Sequence, residues 1–369
     1  MSGDGGHTAA GGRDRSGDAI EHLAAEWDAL ADATGSVPWL RPGWAAAWWR
    51  AFGRGRLEVV TVRDGERLVA VAPFARRGGE LRSNVNYHTP AFAPLAADHA
   101  AGQRILADLF DRTPRRLSIL FVSHTPGALE PYREAAAEAG YLAHVRTLER
   151  SPYVPIAPGD GRSLEDRLDG RVVRELRRRR RRLGEAGRLE VVVEDGHERL
   201  DALLSDGFAV EAASWKGARG TAITSRPETA GFYRDVARWA AARGWLRLAF
   251  LRLDGRAIAF DFAIECDRVH YLLKTGYDPA WRRDAPGMLL RQAMLGRAIE
   301  AGLASYEFLG RDEPWKLVWT RHVRERVGFQ AFRPSPLGRL DWWVQAHART
   351  LARTVRAAAR AHTHAVTAR

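Results

Sequence analysis

The stretch that most constrains this 369-residue chain runs from Trp245 to Ala301. It reads Trp-Leu-Arg-Leu-Ala-Phe-Leu-Arg-Leu, then Asp254-Gly255, then Arg-Ala-Ile-Ala-Phe-Asp-Phe-Ala-Ile-Glu. After Cys266-Asp267-Arg268 comes Val-His-Tyr-Leu-Leu-Lys-Thr-Gly-Tyr-Asp-Pro. Asp-Gly between two alternating apolar runs specifies a hairpin, because such a turn needs residues that accept positive φ. Three antiparallel strands are expected, then a turn and a helix opening at Ala285-Pro286-Gly287. In that helix Leu290, Met294, Ala298 and Ala301 recur at helical spacing; Pro286 suits the first turn and Asp284 is the expected cap. A helix start reached directly from a sheet presents unpaired N–H groups and so forms an anion site. Arg282 and Arg283 would add positive charge for a diphosphate there.

The first half repeats parts of this plan. Leu57 to Arg63, Asp64-Gly65 and Glu66 to Phe74 make a second Asp-Gly hairpin, and Leu117 to Val122 reads as a buried strand after a helix around Ala101 to Phe110. Both hairpins follow a Trp- and Ala-rich helix, which implies a diverged duplication. Trp44, Trp48, Trp49 and Phe52 read as an amphipathic helix packed on a sheet rather than a ligand box. The first half lacks a counterpart to the Pro286-Gly287 helix start; Asn84 to Pro90 occupies that region, as a polar cleft wall or as a satisfied loop. Residues 1–16 are expected to be disordered and 17–150 to form the first half. Residues 151–332 form the second half, starting with a proline-bearing linker or edge strand at 151–162, and 333–369 a basic amphipathic helix and tail.

Several segments resemble the CelD/BioF-like acetyltransferase family of the GNAT N-acetyltransferase superfamily. They are Glu211-Ala-Ala-Ser-Trp-Lys-Gly, Lys274-Thr-Gly-Tyr-Asp-Pro, Pro286-Gly287 and Glu307-Phe-Leu-Gly with Pro-Trp-Lys316. The resemblance covers roughly residues 150 to 330 well and the first half faintly. It implies an α/β fold of tandem GNAT-like domains, each a mixed, mostly antiparallel sheet flanked by helices, with the first half degenerate. It also implies direct transfer from acetyl-CoA or another acyl-CoA to an amine or hydroxyl on a small-molecule or sugar acceptor, such as an exopolysaccharide precursor. Two rivals stand beside it: an aminoacyl-tRNA-dependent transferase of the Fem type, and a non-catalytic accessory protein of polysaccharide synthesis.

The candidate catalytic residues are Asp261, Glu211 and Tyr277. Asp261 lies between Ala259 and Ala263, opposite in face to Ile258, Phe260 and Phe262, which leaves room above it. A carboxylate in an apolar strand must find a partner or shift its pKa upward, and either suits a general base as well as a structural buried pair. Lys274 is its candidate partner. The resemblance implies Tyr277 as the acid for the leaving thiolate. The donor-binding candidates are Lys274, Gly276, Arg282, Arg283, Pro286, Gly287 and Met288; the substrate-binding candidates are Trp215, Lys216, Trp315 and Lys316. For both Lys216 and Lys316 a surface lysine beside a packed tryptophan is an equal reading.

Charge enters at one point. The net charge of +12 is concentrated in Arg177 to Arg182, on a helix with a thin apolar stripe. A solvated face, acidic lipid, a phosphorylated donor or tRNA would each fit it. The C-terminal segment from Leu337 would pack on the domain or lie on an anionic membrane surface. A single cysteine, Cys266, excludes an internal disulfide and a cysteine-built zinc site, and no metal is expected. Lacking a secretory signal or a membrane-length apolar run, the chain is expected in the cytoplasm.

Overall fold

The computed structural model describes residues 15–347 apart from 158, 160, 215, 216, 218 and 219. Trp215 and Lys216 therefore lie outside the described residues, as does most of the expected N-terminal tail. The first helix, α1, already spans Arg15–Ala33.

Each Asp-Gly pair makes the hairpin that its sequence requires. β1 (Arg56–Asp64) and β2 (Arg67–Arg77) pair antiparallel across Gly65, and β8 (Leu246–Leu253) and β9 (Arg256–Cys266) across Gly255. Asp254 and Gly255 both have positive φ, 48° and 82°. The first half comprises α1, α2 (Pro42–Phe52), β1, β2, β3 (Glu80–Ser83), the short β4 (Leu95–Ala96), α3 (His99–Asp111), β5 (Arg116–His124), α4 (Glu130–Glu138) and β6 (Leu142–Pro155). The second follows with α5 (Gly170–Ala186), β7 (Leu189–Glu194), α6 (Leu200–Ala213), α7 (Pro227–Ala242), β8, β9 and β10 (Val269–Tyr277). Then come α8 (Pro286–Glu300), β11 (Ser305–Glu307), α9 (Pro314–Leu317) and β12 (Val323–Phe332). In each half an antiparallel meander leads through one helix to a strand parallel to the meander's last: β3 with β5, and β10 with β11.

The halves exchange their last strands. The sheet runs β1-β2-β3-β5-β12-β6-β11-β10-β9-β8-β7, with β4 on β2. β12, which closes the chain's second half, thus lies between β5 and β6, while β6 reaches across to pair with β11. The proline-bearing segment 151–155 is accordingly neither linker nor edge but the end of a central strand. Its prolines sit where β6 passes from β12 to β11, so the pairing that a missing N–H would break is already changing hands.

Burial follows the alternation of the strands except at the β8–β9 bulge, where Ile258 joins Ala259 and not, as expected, Phe260 and Phe262. Leu248, Phe250, Phe260 and Phe262 face α6 and α7 with Trp44 and Trp48 of α2, so these tryptophans are core. Leu251, Ile258, Ala259 and Leu272 face Leu290 and Met294 of α8. Cys266 is buried, and burial pushes its thiol up to about 12, out of reach of nucleophilic work at neutral pH.

The arginines of α5 are mostly engaged. Arg177 pairs with Glu165, Arg178 and Arg179 with Glu175, and Arg182 with Asp284. Those hydrogen bonds bring the Glu175 carboxyl down to about 2. Residues 336–347 form a helix that holds Trp342 Nε1 against the Ala143 carbonyl (3.1 Å) and exposes Leu337, Leu340 and Trp343. Among the described residues no helix is long and apolar enough to cross a membrane.

Candidate active site

β10 and β11 pair only over Val269–Tyr271 and Ser305–Glu307, after which they part. The gap opens into a cavity of about 460 Å3, bounded on one side by the rest of β10 and on another by the start of α8. Of the sequence candidates Lys274, Gly276, Tyr277, Arg282, Gly287, Met288, Trp315 and Lys316 line it; Asp261, Glu211, Arg283 and Pro286 do not.

The start of α8 is open to the cavity through Ala285, Gly287 and Met288. Its cap is Ala285, without a side-chain hydrogen bond, and not Asp284, whose carboxylate is taken by Arg182. Arg182 also donates to the Arg283 carbonyl (2.9 Å), so α5 fixes the turn that delivers Arg282 to the cavity. The equivalent helix of the first half, α3, is closed: the Asp98 carboxylate accepts the Ala101 N–H at 2.8 Å. Two non-glycine residues of the cavity wall have left-handed backbones, Ala285 (φ 47°) and Leu309 (φ 54°). Such conformations cost of order 1–3 kcal/mol each and persist only where surroundings hold them. Lys316 does this for Leu309: its Nζ, 5% exposed as a residue, donates to the carbonyls of Leu309 (2.7 Å) and Arg311 (2.9 Å) and pairs with Glu313 (3.2 Å). Its first duty is therefore to pin this loop.

Asp261 is not set in a cleft. Across the strands it faces Thr275 rather than Lys274, and its Oδ1 accepts from Arg291 of α8 at 2.6 Å with both residues fully buried. The small neighbours Ala259 and Ala263 make room for an arginine, not for substrate. Arg291 also donates to the Tyr306 hydroxyl. Glu211 is likewise buried, its Oε2 accepting the Ile223 N–H at 2.8 Å. It explains Gly276 instead: a Cβ there would stand 2.5 Å from the Glu211 Cα. Gly276→Ala is expected to push α6 off β10 and cost about 1–3 kcal/mol by overpacking, read as a fall in urea midpoint.

The first half supplies a wall that the motifs of the second cannot reveal. Tyr87, His88, Thr89 and Pro90 line the cavity, so the Asn84–Pro90 segment is a cleft wall at its C-terminal end. His88 stacks on Phe52 with its Nδ1 3.1 Å from the Tyr233 hydroxyl, and its Nε2 has no partner. Burial, with the cations Lys274 and Arg226, holds its imidazole down to about 3, hence neutral at physiological pH. The Lys274 ammonium lies 5.3 Å from the centre of the Tyr233 ring.

The cavity's other carboxylates are Glu313, engaged by Lys316 and by Trp315 Nε1 (3.2 Å), and Glu149 of β6. Glu149 makes no hydrogen bond or ion pair with any described residue. Burial lifts its carboxyl above the ordinary 4.5, against the pull of Arg326, Lys316 and Arg311. No motif marks Glu149 in the sequence: only the exchange of β6 between the halves carries it there.

A meander, a parallel strand splayed from it and an open helix start between them are the parts of a GNAT core. The family profile described as acetyltransferase (GNAT) domain matches residues 170–317. The chain thus carries a GNAT acetyltransferase domain and is an enzyme of the acyltransferase class. Three solved structures resemble it over nearly their whole length. FemX superposes with a TM-score of 0.58 at 13% identity, covering 86% of this chain and 98% of FemX. The C-terminal DUF2156 domain of a protein described as a lysylphosphatidylglycerol synthetase from Agrobacterium fabrum gives 0.55 at 14%, covering 88% and 96%. L-PGS from Bacillus licheniformis gives 0.54 at 13%, covering 84% and 91%. At such identities the likeness is one of fold, and it extends to both halves. The sequence matches none of the curated proteins.

Proposed function

We propose that the chain moves an acyl group from acyl-CoA directly to an amine or hydroxyl of a small-molecule or sugar acceptor, within the CelD/BioF-like branch of the superfamily. The observation that carries this reading is the parting of β10 and β11 into a cavity that ends at an uncapped helix start with Arg282 beside it. The fit is chemical as well as spatial. A free backbone N–H end and a guanidinium suit the donor's diphosphate, and the apolar walls Leu272, Met288 and Phe308 suit its pantetheine arm.

In this reading Glu149 takes the proton from the acceptor as the acceptor's nitrogen or oxygen bonds to the acyl carbon. Tyr277 gives a proton to the sulfur as the carbon–sulfur bond breaks, and no covalent intermediate on the enzyme forms. Lys274 and neutral His88 orient the acceptor. With α3 capped by Asp98, the first half serves as a wall and not as a second donor site. The exposed Leu337, Leu340 and Trp343 support contact with an anionic membrane surface as the setting of the reaction.

The test is the thermal stability of the purified protein with acetyl-CoA and longer acyl-CoAs, repeated on Gly287→Trp. A ligand that binds only the folded state raises the Tm. A Cβ at Gly287 would meet nothing closer than Tyr277 Cδ1 at 3.5 Å, so the variant should fold while its indole fills the donor's path. The expected result is a rise in the wild type that the variant loses. A second reading, transfer from aminoacyl-tRNA, draws on the two-half plan shared with FemX. No rise with any acyl-CoA would overturn the first reading, and a rise with aminoacyl-tRNA alone would establish the second.

A further inference from the structure

Beside the reaction cavity lies a second, of about 390 Å3, built from both halves. Val37, Phe92, Val122, Tyr132 and Val269 give it apolar walls, and the paired Arg324 and Glu307 line it as well. Leu309 lines both cavities. Into this apolar space the fold sets Arg326 of β12, 5% exposed. Its Nε donates to the Pro90 carbonyl at 3.3 Å and one terminal nitrogen to the Glu325 carbonyl at 3.4 Å, both long. No carboxylate of the described residues forms an ion pair with it. Its strand neighbour Arg324 does have one, with Glu307 at 3.0 Å. Glu149 stands opposite Arg326 in the β6–β12 register without pairing with it.

A buried guanidinium in no direct ion pair is costly, because it gives up hydration and feels the charges of Glu149 and Glu307 only at a distance. Burial accordingly lowers its pKa from 12.5. Five N–H donors in a planar fork are matched here by two backbone carbonyls, which leaves donors facing the cavity. Trp39, 6% exposed, also lines this cavity, and its buried indole N–H has no acceptor. The donors left on the charged Arg326 call for an acceptor that carries negative charge.

We propose that this second cavity binds a small organic carboxylate with an apolar body, its two oxygens on the donors that the Arg326 guanidinium has left. The fork of an arginine suits a carboxylate in two parallel hydrogen bonds. A phosphate dianion is a poorer match, since Arg324 is already committed to Glu307 and the walls are mostly apolar. The site uses none of the residues assigned to the acyl donor, so donor binding and carboxylate binding can fail separately.

The experiment is titration of the full chain with 3-phenylpropionate and octanoate, and with the neutral 3-phenylpropanol and octanol, by calorimetry. The acids are expected to bind at least about tenfold tighter than their alcohols, as a charge-assisted hydrogen bond provides. Arg326→Met should abolish that preference. Ala128→Trp, which fills the cavity from a half-buried wall position and leaves the arginine in place, should abolish acid binding. Both variants should keep whatever Tm rise acyl-CoA gives the wild type, which shows that they are folded. The proposal fails if neither acid binds, if alcohols bind as well as acids, or if folded Ala128→Trp binds the acids unchanged.

Discussion

Replacing Glu149 by glutamine is expected to lower kcat about a hundredfold or more, the usual worth of a positioned general base, while acyl-CoA still raises the Tm. The amide keeps the shape and loses only the proton acceptor. Release of free thiol from acyl-CoA, with an acceptor drawn from an amine and hydroxyl panel, measures it. The pH profile gives a sharper reading. Burial lifts the folded carboxyl above 4.5, so the basic form appears only as pH climbs through that raised value, and the rate should rise with it. The glutamine variant should lack that limb. The sign for stability is opposite. A carboxyl with a raised folded pKa contributes stability that is complete below its unfolded value and is lost as pH rises through the folded one. Glu149→Gln should therefore be slightly more stable than wild type above that window. Unchanged kcat in a folded variant would remove Glu149 from the reaction.

The second large effect is on stability. Asp261→Leu alone should cost about 3–5 kcal/mol, because it leaves Arg291 as a buried, unpaired charge under the sheet. Asp261→Leu with Arg291→Met should recover most of that loss, since well-packed apolar residues often replace a buried pair without penalty. Urea unfolding of the two single variants and the pair measures it. The double variant also decides Asp261's role. Activity near wild type in a stable double variant makes the pair structural; activity lost with stability intact would restore Asp261 as a base.

Local patterning carries much of this fold. The two Asp-Gly turns fix both hairpins, and the alternation of Phe260 and Phe262 with Asp261 separates two faces that do pack on different helices. Proline and glycine at 286 and 287 mark the helix start that borders the cavity, and the spacing of Leu290 and Met294 marks its buried stripe. Lys274, Tyr277, Arg282 and Trp315 were legible for the same reason: each sits in or beside a segment whose structure depends on neighbours within a few residues. The partner of Asp261 was not. Alternation says that a carboxylate faces inward, but an ion pair with a residue thirty positions on is a matter of where α8 crosses the strand.

The elements, their order and the open helix end follow from local residue chemistry, since they depend on turns and on periods of two and 3.6 residues. Which residues meet at the cavity follows instead from how the two halves pack. The exchange of β6 and β12 between the halves brings Glu149 and Arg326 to adjacent cavities, and the 87–90 segment faces β10 across nearly two hundred residues of chain. Strand pairing between distant segments is set by the burial of whole sheet faces, and no local period encodes it.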